Sequence, residues 1–279
     1  MATSIDVKLA FKLEQPTDIL LQFEAARIPE QDIVSCRCSL DAAEHLARVP
    51  AQDDIGERMW LRAEGRYDVH YEACVQVERL LPDLSTLHRM DSHDLPGEAV
   101  QYLFDSRYVP ADRFQTFVDE TFGDSEGGTQ VLAMRDWIAE NMSYVPGSSG
   151  PNTTGLDSFV ERQGVCRDYA HVMVMLARAS GIPARYVSVY DPGVTPQDFH
   201  AVAEVFLADP TMQGPDGAPG GAWHMVDATK MADPAHSVKI GVGRDAADVS
   251  FLTSFGASEL LEQQVQVTLT GGSGSGSGR

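Results

Sequence analysis

Basic side chains are scarce in this sequence: 21 lysines and arginines face 41 aspartates and glutamates, a formal net charge of -20. That surplus removes the counterion-release free energy that drives nucleic-acid binding and repels anionic membrane surfaces, so neither partner is expected. Long apolar runs are also lacking. No stretch of about 20 apolar residues occurs, and the start, MATSIDVKLAFKLEQ, has no apolar segment behind a basic one, so neither a membrane span nor a signal peptide is expected. Cysteine is the third shortage, with Cys36, Cys38, Cys74 and Cys166 the only four in 279 residues. Cys36 and Cys38 alternate in a strand-like run where a mutual bridge is geometrically awkward, and together with Cys74 they read as reduced, packed thiols of a cytoplasmic protein. The acidic surplus itself reads as a solvated surface.

The chain is 43% hydrophobic, and its length suits one large or two ordinary domains able to bury a core without disulfide or metal staples. From Ser4 to about Val77 apolar residues recur with period two between turn signals. Ile5-Asp6-Val7-Lys8-Leu9-Ala10-Phe11 is followed by a Gln15-Pro16-Thr17-Asp18 turn and then by Ile19 to Glu24. Further strands are expected at Ile33 to Leu40, Arg58 to Ala63 and Gly65 to Val77, the last two separated at Glu64-Gly65, which makes a β-sandwich or small barrel. After the polar stretch Pro82 to Pro96 the period changes. Helices are expected at Val100 to Leu103, Asp112 to Phe122 and Gly128 to Asn141, then a loop with Thr154 or Asp157 capping a short helix, and a helix from Cys166 to Ser180 ended by Gly181-Ile182-Pro183. Strands follow at Ala184 to Tyr190, His200 to Leu207 and Trp223 to Thr229, with a turn-rich excursion from Asp209 to Gly221. The class is therefore α+β: a β-rich domain over residues 1–95, a second domain over 96–270, and a 271–279 tail (GGSGSGSGR) with the composition of an appended flexible linker.

Cys166 differs from the other cysteines because it opens a helix, where unsatisfied N–H groups and the positive end of the dipole favour a thiolate. Its base must come from elsewhere. His171 lies five residues along the same helix, about 500° of rotation, and so points some 140° away. His200 opens a strand after a loop, held yet accessible. Asp227, near the end of the next strand, is the candidate to orient the imidazole, whereas His224 faces the other side of that strand. Gly241 to Asp248 carries a weak glycine signal and reads as a loop on the substrate side of a cleft.

The run Gly164-Val165-Cys166-Arg167-Asp168-Tyr169-Ala170-His171, followed by Ala177 to Val187, resembles the core of the bacterial transglutaminase-like superfamily. Phe199-His200-Ala201 through Glu204-Val205 resembles that family's histidine strand, and Val226-Asp227-Ala228-Thr229 its aspartate strand. Gln101 to Pro110 resembles the segment joining the family's β-rich N-terminal domain to its catalytic core. The resemblance implies a papain-like catalytic fold with Cys166 as nucleophile, His200 as base and then acid, and Asp227 as orienter. Arg167, Asp168 and Tyr169 are further candidates for lining the substrate site. It implies a bacterial cysteine peptidase or amidase acting on a peptide or protein amide, with no metal and no organic cofactor. The alternatives are transglutaminase-type acyl transfer to an amine and a binding scaffold without catalysis. Val202 stands where many relatives have tryptophan and Ala228 where many have proline; the missing tryptophan leaves hydrolysis ahead of protein crosslinking.

Overall fold

A computed structural model describes residues 1–214 and 219–271. The chain opens with β1 (Ala2–Leu21), β2 (Gln31–Leu40), β3 (His45–Pro50) and β4 (Glu57–Val77). β1 and β4 pair antiparallel along almost their whole length, from Ala2 opposite Gln76 to Leu21 opposite Met59. The turn expected at Gln15 to Asp18 is instead a bulge within one strand: the register shifts between Leu13 and Thr17, and Pro16, which has no N–H for the ladder, sits inside that shift. The break expected at Glu64-Gly65 is the matching bend in β4. Gly65 adopts φ +79°, conformational space that residues with a Cβ rarely enter. Each long strand thus bends once, and β2 and β3 pair with the two halves of β4. Ile5, Val7, Leu9, Phe11 and Leu13 from one half of β1, and Ile19 and Leu21 from the other, share one buried cluster.

The middle of the chain is helical: α1 (Gly97–Val100), α2 (Gln115–Phe122), α3 (Gly127–Asn141), β5 (Ser143–Tyr144), α4 (Gly155–Glu161), β6 (Gln163–Gly164) and α5 (Cys166–Ala179). Of the two alternative caps, Thr154 is the N-cap of α4, and Asp157 completes a capping box with it, each side chain bonded to the other residue's N–H. The remaining strands are β7 (Ala184–Tyr190), β8 (His200–Gln213), β9 (Pro219–Val226), β10 (Val238–Gly243), β11 (Leu252–Ser254) and β12 (Ser258–Thr270). β7 to β10 form an antiparallel sheet in the order β10-β7-β8-β9. α5 packs on it through Val172, Met173 and Leu176 in a cluster shared with Val205, Val226 and the α2 and α3 residues Val118 and Met134. Gly241 to Gly243, the start of the run expected as a loop, are instead the end of β10, all six of whose residues are buried.

Residues 252–270, grouped by sequence with the second unit, return to the first sheet, where β11 and β12 both pair with β1. The alternation of Val265 and Val267, both buried on β12, explains why: that face completes the first core. Tyr190, Val238 and Ile240 of the second sheet enter the same core, so the two units share a packed boundary. Part of the expected excursion after Asp209 is strand on both sides, and its residues 215–218, like the tail from 272 onward, lie outside the described residues. Among the described residues, no helix is long and apolar enough to cross a membrane.

Candidate active site

α5 starts at Cys166 because the preceding residues are held in place. Val145 N–H donates to Gly164 O at 2.9 Å, and Val165 N–H donates to the Asp168 carboxylate at 2.8 Å, the reciprocal cap of the first turn. Gly164 is required here: a Cβ would stand 2.5 Å from Asp168 Cβ. This leaves the Cys166 N–H outside the helical hydrogen bonds, at the positive end of α5.

His200 opens β8 opposite Val189 of β7. Its Nε2 lies 3.1 Å from Asp227 Oδ2, and its ring is within hydrogen-bonding reach of the Cys166 thiol. Nε2 being committed to the carboxylate, Nδ1 is the nitrogen left for sulfur. Asp227 follows the end of β9, and its orientation is fixed by donors. Oδ1 accepts from Thr229 N–H at 2.8 Å, and Oδ2 accepts from Met231 N–H at 3.0 Å and Ala232 N–H at 2.8 Å. Burial alone would lower the His200 pKa; the hydrogen bonds and charges of Asp227 and Cys166 outweigh it and raise the imidazole to about 10. Burial likewise opposes the Asp227 charge, but the His200 contact and the Ala232 and Thr229 donors leave it below the usual carboxylate value. The structure thus brings Cys166, His200 and Asp227 together from a helix, a strand and the turn after a strand.

His171 and His224 stand apart, as their predicted directions require. His171 is fully buried between the rings of Tyr108 and Tyr186, and its Nε2 accepts from Ala246 N–H at 3.2 Å. Burial, with Arg167 and Arg178 nearby, holds its pKa well below the usual value, so it is a neutral acceptor. His224 is buried 3.7 Å from Asp209.

The additional lining candidates separate. Asp168 and Tyr169 do not reach the cleft: the first is consumed by its cap and by Ser149 Oγ at 2.8 Å, and the second is buried in the helical core. Arg167 does border it, but its guanidinium lies over the Tyr108 ring and donates to Gly150 O at 2.7 Å and Thr153 O at 2.9 Å, clamping the 149–153 loop.

The cleft over Cys166 encloses about 630 Å³ and is walled by Tyr108, Arg167, Tyr186, Ser188, His200 and, opposite them, the 246–254 segment. Ala246 and Ala247 stand in that wall, at the end of the glycine-bearing run read as a substrate-side loop. The wall is pinned at Ala246 by His171, at Asp245 by Tyr108 N–H at 2.9 Å, and at Arg244 O by Arg178 at 2.6 Å. Sequence reasoning missed Tyr144. Burial and the charge of the adjacent Cys166 raise its pKa to about 12. No motif marks it, since its position comes from β5 pairing with β6 and placing Tyr144 opposite Gly164. Among the described residues, two carboxylate and histidine clusters, Asp6-His70-Glu72 and Asp91-His93-Asp94, have the spacing of metal ligands, and none of these residues lines the cleft.

Residues 115–228 match the model of the transglutaminase-like superfamily, a span that holds Cys166, His200 and Asp227. A candidate cysteine protease from Cytophaga hutchinsonii is 30% identical, with a TM-score of 0.84 over 96% of this chain and 90% of that one. An uncharacterised protein of Mycobacterium leprae is 29% identical over 209 residues, 70% of each chain.

Proposed function

Given that this chain belongs to the transglutaminase-like superfamily, a family of cysteine-dependent enzymes, we propose that it is an amide or peptide hydrolase working through Cys166, His200 and Asp227. The observation that carries this reading is the His200 imidazole, bonded through Nε2 to the buried Asp227 carboxylate in the cleft that also holds Cys166.

His200, whose imidazole pKa is raised to about 10, carries the Cys166 proton at Nδ1 as an imidazolium before substrate binds, and Asp227 stabilises that charge. The thiolate attacks the substrate carbonyl, forming a C–S bond. The oxyanion is held by the Cys166 N–H and by the Tyr144 hydroxyl beside it. His200 then protonates the departing amine, which leaves a thioester on Cys166. Water, deprotonated by the same imidazole, hydrolyses the thioester and restores the thiol. The acidic groups that outnumber cations across the chain oppose thiolate formation, so the helix terminus and imidazolium must supply the local positive field.

The test is the pH profile of Cys166 alkylation by iodoacetamide. The proposal expects rapid labelling at neutral pH and loss of that reactivity in His200→Ala. Equal profiles in both proteins would remove it. Incubation with a glutamine peptide and a fluorescent primary amine distinguishes acyl transfer, which labels the peptide, from hydrolysis, which does not.

A further inference from the structure

β11 is an edge strand. It pairs with β1 alone, Leu21 opposite Leu252 through Ile19 opposite Ser254. Gln22 N–H donates to Phe251 O and Phe255 N–H to Asp18 O, both at 3.0 Å. Backbone groups in an antiparallel ladder alternate sides, so residues 251, 253 and 255 face β1 while 252 and 254 turn their N–H and C=O to the free side. Leu252 O accepts from Ser250 Oγ at 2.8 Å. The Leu252 N–H and both backbone groups of Ser254 have no partner among the described residues. Leu252, Thr253 and Ser254 line the same cleft as Cys166 and His200. At the cleft end of the strand Phe199, next to His200, stacks on Phe251 with centroids 4.8 Å apart.

We propose that the substrate is an extended peptide segment that adds to the free edge of β11 as a further strand, its main chain bonded to Leu252 and Ser254 and its scissile carbonyl carried to Cys166. The inference rests on the cysteine hydrolase reading and specifies its substrate class: an unfolded or loop segment of a polypeptide, not a small amide and not an isolated side-chain amide. Main-chain pairing of this kind gives affinity that is largely independent of residue type, with selectivity left to the alternate side chains. It also makes the first sheet part of the substrate site, which gives a functional consequence to the return of β11 to β1. A three-residue edge is short enough to avoid the edge-to-edge association that a long exposed strand invites.

The probes are acetylated vinyl sulfones carrying one to four alanines, with the rate of Cys166 labelling read by intact mass. In the wild type, lengthening the probe from one residue to four accelerates labelling at least tenfold. N-methylation of the four-residue probe, one backbone nitrogen at a time, abolishes that gain at alternate positions and leaves it at the others, because only every second amide faces β11. Ser254→Pro, which removes a cleft-facing N–H without taking a donor from the β1 ladder, cuts the gain to under threefold, while iodoacetamide labels it at the wild-type rate. Should the proline variant misfold by circular dichroism, the N-methyl series on the wild type still decides. A length effect absent from the wild type, or N-methylation without period two, overturns the edge pairing. Failure of the hydrolase reading looks different: iodoacetamide labelling would then be indifferent to His200→Ala.

Discussion

Glu204 is fully buried at the centre of β8, four residues after His200, and its environment lets a perturbation be sized. Arg185 reaches its Oε2 at 2.7 Å, and Lys239 of β10 pairs with Oε1. Arg185 also meets Asp53 at 3.1 Å, and Lys239 also pairs with Glu30, so the cluster ties β7, β8 and β10 to the first unit. Glu204→Gln preserves shape and removes the charge. Breaking a buried pair from one side costs about 3 to 5 kcal/mol, and the lower end applies because each cation keeps a second carboxylate. The titration gives a similar figure. Burial pushes the Glu204 pKa up, but Lys239 and Arg185 outweigh it and hold the group at about 2 against an ordinary 4.5. That difference at roughly 1.4 kcal/mol per unit is about 3 kcal/mol. Because the folded pKa is depressed, this stability is fully present above pH 4.5 and is lost as pH falls through about 2. Urea unfolding of both proteins should therefore show a deficit of about 3 kcal/mol at pH 7 with an unchanged m-value, shrinking steadily below pH 4.5. A deficit under about 1 kcal/mol at pH 7, or one independent of pH down to 2, would refute this reasoning.

Three further outcomes follow from the site. Asp227→Asn cannot accept from the Thr229, Met231 and Ala232 amides at both positions, so kcat should fall about 10³- to 10⁴-fold with little change in KM; the His200 imidazole, raised in the wild type by its hydrogen bond to Asp227, should titrate lower by NMR, and an unmoved titration would contradict the assigned pairing. Tyr144→Phe removes a donor beside the Cys166 N–H, and a loss of about 10²-fold in kcat is expected, a wild-type kcat showing that the phenol has no part in holding the oxyanion. Gly164→Ala drives a methyl into Asp168 and disturbs the cap of α5, which should cost about 1 to 3 kcal/mol by thermal or chemical unfolding; full stability would mean that the turn can move aside.

Much of this architecture is legible in the residues because it is local. Period-two burial in Ile5 to Leu13 identifies β1, and the three- and four-residue spacing of Tyr169, Val172, Met173 and Leu176 identifies α5. The helix-opening position of Cys166 and the sidedness of His171 and His224 follow from the same periodicities. Pro16 and Gly65 carry turn signals that look like strand breaks in sequence, but a paired partner strand overrides them when both bend together. β10 was hidden because Gly241 and Gly243 lower strand propensity, and only burial between β7 and the first core makes that segment a strand. Long-range placement left no local trace at all: Tyr144 reaches Cys166 through β5 and β6, and β11 reaches the cleft only because the chain returns to β1.

The central claim, that Cys166 attacks an amide carbonyl with His200 as its base, is tested most directly by intact-mass measurement of the enzyme quenched in acid during turnover of a peptide mixture. The account predicts a transient acyl adduct on Cys166, released by hydroxylamine as a thioester is, absent in Cys166→Ala and strongly diminished in His200→Ala. Turnover of the mixture at the wild-type rate by Cys166→Ala, or an acyl adduct that forms equally fast without His200, would contradict it.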